Sequence, residues 1–185
     1  MTTKTRNLMT FASVVLIGIA GFTMSATKAA PTFADDRAPE LTGPCVRLEI
    51  DTGNKVAFRA YATGTQNYRW NGVAWILVAP DAQLFANEDY TGQIGKHYGG
   101  PTWESKSGSK VVATRIDDCT PDTSAIAWLK LQKVTTEGAG IFDRISFIQR
   151  VNTTGGLKPT VAGTTVGEEA NVPYTAEYYF YRPSN

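Results

Sequence analysis

The chain has 185 residues, 42% apolar, 11% aromatic and 19% charged, and its 18 basic against 17 acidic groups leave a formal net charge of +1. That composition fits one ordinary globular domain and excludes a disordered tail, a collagen-like array, a multi-span membrane protein and the strongly basic footprint of a nucleic-acid binder. One histidine and two cysteines exclude a two-histidine metal site, a zinc ribbon and an iron–sulfur cluster within one chain, so no metal and no cofactor is expected.

Residues 1–29 have the layout of a secretory signal peptide. Lys4 and Arg6 make a positive start, Phe11 to Ala20 is the apolar stretch, and Thr27-Lys28-Ala29 offers small residues for cleavage before Ala30, with Met24-Ser25-Ala26 as a second choice. The alternative is an uncleaved anchor over Leu8 to Ala26, against which stand the Gly, Ser and Thr interruptions and the Ala-rich end. Cleavage leaves 156 residues and removes Lys4, Arg6 and Lys28, so the charge turns to −2. The expectation is a secreted or periplasmic protein with no stable membrane span and no general attraction to anionic lipid or nucleic acid. Residues 30–43 carry two prolines and three acids without periodicity and read as a flexible lead-in.

Residues 44–185 read as a single all-β domain. Cys45 and Cys119 are expected to form a disulfide in an oxidising compartment, the alternative being two buried thiols too far apart to bond. Lys55 to Thr63 alternates, with Val56, Phe58 and Ala60 on one face and Arg59, Tyr61 and Thr63 on the other. Gln66 to Trp70 and Val73 to Val78 flank Asn71-Gly72, the dipeptide of type I′ hairpins, which sets Trp70 opposite Val73, Tyr68 opposite Trp75 and Gln66 opposite Leu77. Pro80 to Ala86 reads as one helical turn or a further strand.

Further strands are predicted over 109–116, 126–134, 144–151 and 174–181, separated by turn-forming clusters at 106–109, 120–122, 137–140 and 154–156. The fold class is thus a single antiparallel β-sandwich or barrel of about eight to ten short strands. Gly138-Ala-Gly140 lacks a third glycine at the right spacing and a βαβ setting, and neither a Walker loop nor Gly-x-Ser-x-Gly is present. A nicotinamide-dependent dehydrogenase is therefore excluded.

The densest unusual stretch is Gly95 to Glu104, which gathers His97, Tyr98, Trp103 and Glu104 around Gly99-Gly100-Pro101. A tight turn there can bring His97 near Glu104, and such a pair suits acid–base work near neutral pH. The blander alternative is a structural connection with Trp103 in the core and His97 bonded to a loop carbonyl.

The runs Tyr68-Arg-Trp70, Ala79-Pro-Asp-Ala-Gln-Leu84, Gly95-Lys-His-Tyr-Gly-Gly-Pro-Thr-Trp-Glu104, Gly138-Ala-Gly-Ile-Phe142 and Pro173 to Tyr181 resemble the domain of unknown function 3455 family over nearly the whole mature chain. The resemblance implies a small exported protein of no established activity and supplies no catalytic residue. Some relatives carry a malate dehydrogenase label, which the missing dinucleotide fingerprint does not support. Ala127 stands where the family pattern leads one to expect proline.

Two readings follow. One is a noncatalytic extracytoplasmic binding or interaction domain whose site includes His97, Tyr98, Trp103 and Glu104, or Tyr179 and Tyr181 with Tyr61 on the strand face opposite Tyr178 and Phe180. Exposed aromatics on a rigid sheet suit a glycan, a small apolar molecule or an envelope protein. The other is a hydrolase or lyase using a His97/Glu104 acid–base pair. Asn152-Thr-Thr154 is a glycosylation acceptor whose use depends on the host.

Overall fold

The computed structural model describes Met1 and residues 37–184, so the signal segment and both cleavage sites lie outside the described residues. A 3-10 helix, Gly43–Leu48, precedes eight strands: β1 Asn54–Trp70, β2 Trp75–Phe85, β3 Gln93–Tyr98, β4 Thr102–Ser105, β5 Lys110–Cys119, β6 Trp128–Glu137, β7 Phe147–Gly155 and β8 Glu169–Pro183. Every strand pairs antiparallel with its neighbours in sequence, and β8 returns to pair with β1, so the sheet closes on itself as a barrel. Closure removes the open edges that a sheet of this length would otherwise expose.

Alternation along the strands fills the interior. Ala60 and Ala62 of β1, Leu84 of β2, Trp103 of β4, Val111 of β5, Ile148 of β7 and Tyr178 and Phe180 of β8 belong to one buried cluster, with Phe58 packed against it. Small residues on β1 leave room for the large rings of β8. Phe58 stacks on Phe180 at 4.6 Å between centroids, and Phe142 from the β6–β7 connection packs on Phe180 at 5.1 Å. Glycine permits the closest strand approach: a Cβ on Gly64 would stand 2.1 Å from the Asp81 carbonyl oxygen.

The outer face of β1, β7 and β8 is covered as well. Ala38, Leu41 and Ile50 pack over Val56, Val151, Tyr179 and Tyr181. The segment read as a flexible lead-in is therefore attached to the barrel from Ala38 onward, and it forms a strap together with the 3-10 helix. Cys45 and Cys119 form the expected disulfide, with Cα atoms 5.3 Å apart, and it ties this helix to the end of β5. Gln149, buried on the outer side of β7, donates to the Leu48 carbonyl at 2.7 Å and accepts from the Tyr181 hydroxyl. Lys130 donates to the Glu49 carbonyl and to Asp51, both at 2.8 Å.

The β1–β2 hairpin exists where Asn71-Gly72 places it, but in another register. Trp70 pairs with Trp75 and Tyr68 with Leu77, leaving a four-residue connection. The reason lies in Asn71, whose side-chain oxygen accepts from the amides of Val73 at 2.9 Å and Ala74 at 2.8 Å. Only Gly72 then needs a positive φ, whereas a type I′ turn requires two. For Trp70 and Tyr68 the change is by two residues, so the same side chains share a face, and an irregularity between Asn67 and Tyr68 then sets Gln66 opposite Pro80. Gln66, Tyr68 and Trp75 are buried, while Leu77 is half exposed because β3 ends at Tyr98, opposite Asp81, and no strand continues alongside. Residues 80–85 extend β2 rather than forming a helical turn.

Candidate functional site

The Gly95–Glu104 stretch is a hairpin of β3 and β4 around Gly99-Gly100-Pro101. Gly100 adopts φ 74, and the Thr102 hydroxyl lies 3.1 Å from both the Gly99 and Gly100 carbonyls. The register pairs His97 with Trp103, Lys96 with Glu104 and Tyr98 with Thr102. Directly opposed residues share a face and successive residues along a strand do not. The hairpin therefore sends His97 and Trp103 into the barrel and leaves Tyr98, Lys96 and Glu104 outside.

Inside, His97 is 4% exposed and stacks on Trp103 at 4.2 Å, with Tyr178 edge-on to both. Its Nδ1 lies 2.9 Å from the Thr102 carbonyl, which can only accept, so Nδ1 carries the proton. Burial pushes the His97 pKa down to about 3, against a smaller opposing effect of that hydrogen bond. The imidazole is neutral at physiological pH.

Outside, Glu104 accepts from the Tyr98 hydroxyl at 2.8 Å and pairs with Lys96 at 3.5 Å. The Tyr98 hydrogen bond, helped by Lys96 and Lys110, holds this carboxyl below its ordinary pKa. An open groove of about 240 Å³ adjoins it, lined by Gln83, Gln93, Lys96, Glu104, Ser105 and Lys106. The expected His97/Glu104 acid–base pair is not formed, because the sheet stands between the two groups. Nor do His97, Tyr98, Trp103 and Glu104 share one pocket: His97 and Trp103 build the core, Glu104 lines the groove, and Tyr98 is bonded to Glu104 beside it.

The expected exposed aromatic face is likewise absent. Tyr179 is 6% and Tyr181 4% exposed beneath the strap, and Tyr61 is buried under the Arg59 guanidinium at 4.7 Å. Tyr179 is held by Arg59 at 3.2 Å and donates to Glu177 at 3.1 Å.

A polar group inside the barrel was not singled out by the sequence pattern. Arg150 faces Tyr178 in the β7–β8 register and Leu129 in the β6–β7 register, so it shares the inner face with Tyr178. Its Nε and Nη2 donate to the Ala127 carbonyl at 3.2 and 2.8 Å. Gln66 and Tyr174 converge on Gly156, whose carbonyl accepts from the Tyr68 hydroxyl at 2.7 Å. The signal available in the sequence was parity: Arg150 lies two residues from inward Ile148.

No helix among the described residues is long and apolar enough to cross a membrane. No group of three or more His, Cys, Asp and Glu residues is placed to hold a metal ion among them. A family described as "Protein of unknown function (DUF3455)" matches residues 51–182. Nothing among the curated proteins or the solved structures matches the chain.

Proposed function

We propose that this chain, which belongs to the DUF3455 family and takes no assigned activity from it, is an exported, noncatalytic domain that binds a glycan on the outer side of the β3–β4 hairpin. The observation that carries the reading is the groove itself. Two glutamines, a carboxylate and two lysines line it, and Tyr98 stands beside them with Lys96 over its ring at 5.3 Å. Amide and carboxylate groups match the vicinal hydroxyls of sugars, and a phenol ring offers an apolar face to a pyranose. A small apolar molecule finds little to bury there. Export is supported by the signal-like residues 1–29 and by the disulfide.

Immobilised envelope and cell-wall glycans provide the test. Glu104→Gln combined with Lys96→Met is expected to weaken retention by about tenfold, the equivalent of about 1.4 kcal/mol, while thermal stability stays near that of the parent. Retention by the folded double variant equal to the parent's refutes the site. The mature N-terminus, read by intact mass, is expected at Ala30.

A further inference from the structure

We propose that two copies of this chain pair through the open edge at the start of β2, with Trp75 to Leu77 of one copy antiparallel to the same residues of the other about a two-fold axis at Ile76.

The barrel closes in its strand order, yet β2 runs farther than its neighbour. It pairs with β1 from Trp75 onward, whereas its pairing with β3 begins only at Asp81, opposite Tyr98. No strand among the described residues lies beside Trp75 to Val78 on that side. The direction of the free backbone groups follows from β1. The Trp70 amide donates to the Glu168 carbonyl and the Gly167 amide donates to the Trp70 carbonyl, both at 2.8 Å, so the Trp70 backbone points away from β2. Trp75 stands opposite Trp70, and Leu77 opposite Tyr68. Backbone direction alternates along an antiparallel pair, so the amides and carbonyls of Trp75 and Leu77 point away from β1, into the open side. They have no other backbone partner among the described residues.

The side chains at this edge are apolar. Ile76 is 49% exposed, Leu77 50%, Val78 54% and Val73, at the hairpin tip, 85%. The β7–β8 connection adds exposed Val161, whose carbonyl accepts from the Trp75 Nε1 at 2.8 Å, and exposed Val166, which lies against Gly72. Exposed edges normally carry a charge that keeps other strands off, and here none stands between Val73 and Pro80. The nearest cation, Arg69, is already paired with Glu169 at 2.8 Å.

A second copy meets the demands of this edge. With Ile76 on the axis, Trp75 of each copy faces Leu77 of the other, and the two exchange amide-to-carbonyl bonds, about four in all. Flanking them come only Val73, Ala74, Val78 and Ala79, so no like charges are opposed. An uncharged edge offers a foreign strand little to be selected by, and gives identical copies nothing to repel. The six exposed apolar side chains present roughly 600 Å² per copy, or about 1,200 Å² across a symmetric pair, which reaches the lower bound of a specific interface.

Sedimentation velocity of the purified protein is expected to show monomer giving way to dimer in the micromolar range, with amide exchange at Trp75 and Leu77, followed by nitrogen-15 NMR, slowing as the dimer fills. Ile76→Glu faces Arg69 within its own chain, so the fold accepts it, while two carboxylates meet on the axis. It is expected to raise the dimer dissociation constant by about tenfold or more. Val78→Lys, at the same exposed edge, is expected to act in the same direction and decides the matter if Ile76→Glu does not fold. A parent that stays monomeric at millimolar concentration overturns the pairing and leaves the edge to a different partner. A dimer whose dissociation constant is unchanged in the folded variants, or in which both amides exchange as fast as in the monomer, lies elsewhere on the surface and overturns it as well.

Discussion

Lowering the pH from about 7.5 to about 5.5 is expected to destabilise this protein through one side chain. His97 is the only histidine in the chain, and burial against Trp103 and Tyr178 depresses its folded-state pKa to about 3 from an ordinary 6.5. Below the ordinary value the unfolded chain takes up a proton that the folded chain refuses, so stability falls as pH drops and stops falling only near the folded pKa. The slope approaches about 1.4 kcal/mol per pH unit, giving a loss of about 1.4 kcal/mol between pH 7.5 and 5.5. For a domain of this size that corresponds to a fall of about 3–6 °C in melting temperature. Glu104 and the exposed Asp89, Asp122 and Glu168 have lowered pKa values, so their stabilisation is present above the ordinary carboxylate range and is lost only below it. The window above about pH 5 therefore isolates His97. The assay is urea unfolding across that window for the parent and for His97→Phe, which keeps a ring on Trp103 but removes the titration. The variant is expected to be less stable at pH 7.5, having lost the bond to the Thr102 carbonyl, yet nearly flat in pH. Equal slopes in the two proteins, or an imidazole titrating near 6.5 by NMR, refute the buried placement and the reasoning drawn from it.

The remaining predictions concern the strap and the strand approach. Cys45→Ser closes off the disulfide and its 74-residue separation, and is expected to remove about 4 kcal/mol, measured by denaturant unfolding without reductant. Gln149→Leu leaves the buried Leu48 carbonyl without its donor and takes away an acceptor of Tyr181; a loss of about 1–3 kcal/mol is expected, with earlier proteolytic cutting in residues 38–51 as the second readout. Gly64→Ala sets a methyl against the Asp81 backbone, which β2 cannot withdraw without breaking its ladder; no soluble folded protein is expected, judged by yield and circular dichroism.

How far the fold is legible depends on which element is read. β8 and the start of β1 announce themselves by period-two alternation, and the hairpin after Trp70 by Asn71-Gly72. The register was not readable, because the Asn71 side chain serves two amides and opens the loop to four residues. β2 is masked by Pro80, a residue that argues against a strand interior. It is tolerated because Pro80 lies one residue beyond the β2–β3 pairing, which begins at Asp81. β3 and β4 are hidden for a related reason: Gly95 and Gly99-Gly100-Pro101 look like turn throughout, yet a Cβ on Gly95 would stand 2.2 Å from the Glu104 carbonyl oxygen, so that glycine serves strand packing.

The candidate site shows the same limit in a sharper form. Alternation states which residues share a face, and it does separate Tyr179 and Tyr181 from Tyr178 and Phe180. It is silent on what lies over a face, and the strap over Tyr179 and Tyr181 comes from residues whose prolines and acids read as a tail. Parity also places His97 and Glu104 on one side or the other only once the Gly99–Pro101 turn is known to hold a tight hairpin in which His97 faces Trp103. Had that pairing been assumed, seven residues from His97 to Glu104 would have put the two on opposite faces. The same rule applied to Arg144–Val151 sends Arg150 inward with Ile148, which is costly for a cation in a closed barrel unless something negative or strongly accepting meets it. That acceptor is the Ala127 carbonyl, which takes the Arg150 Nε and Nη2 protons at 3.2 and 2.8 Å, a partner set by the chain path before β6 and not by the alternation of β7.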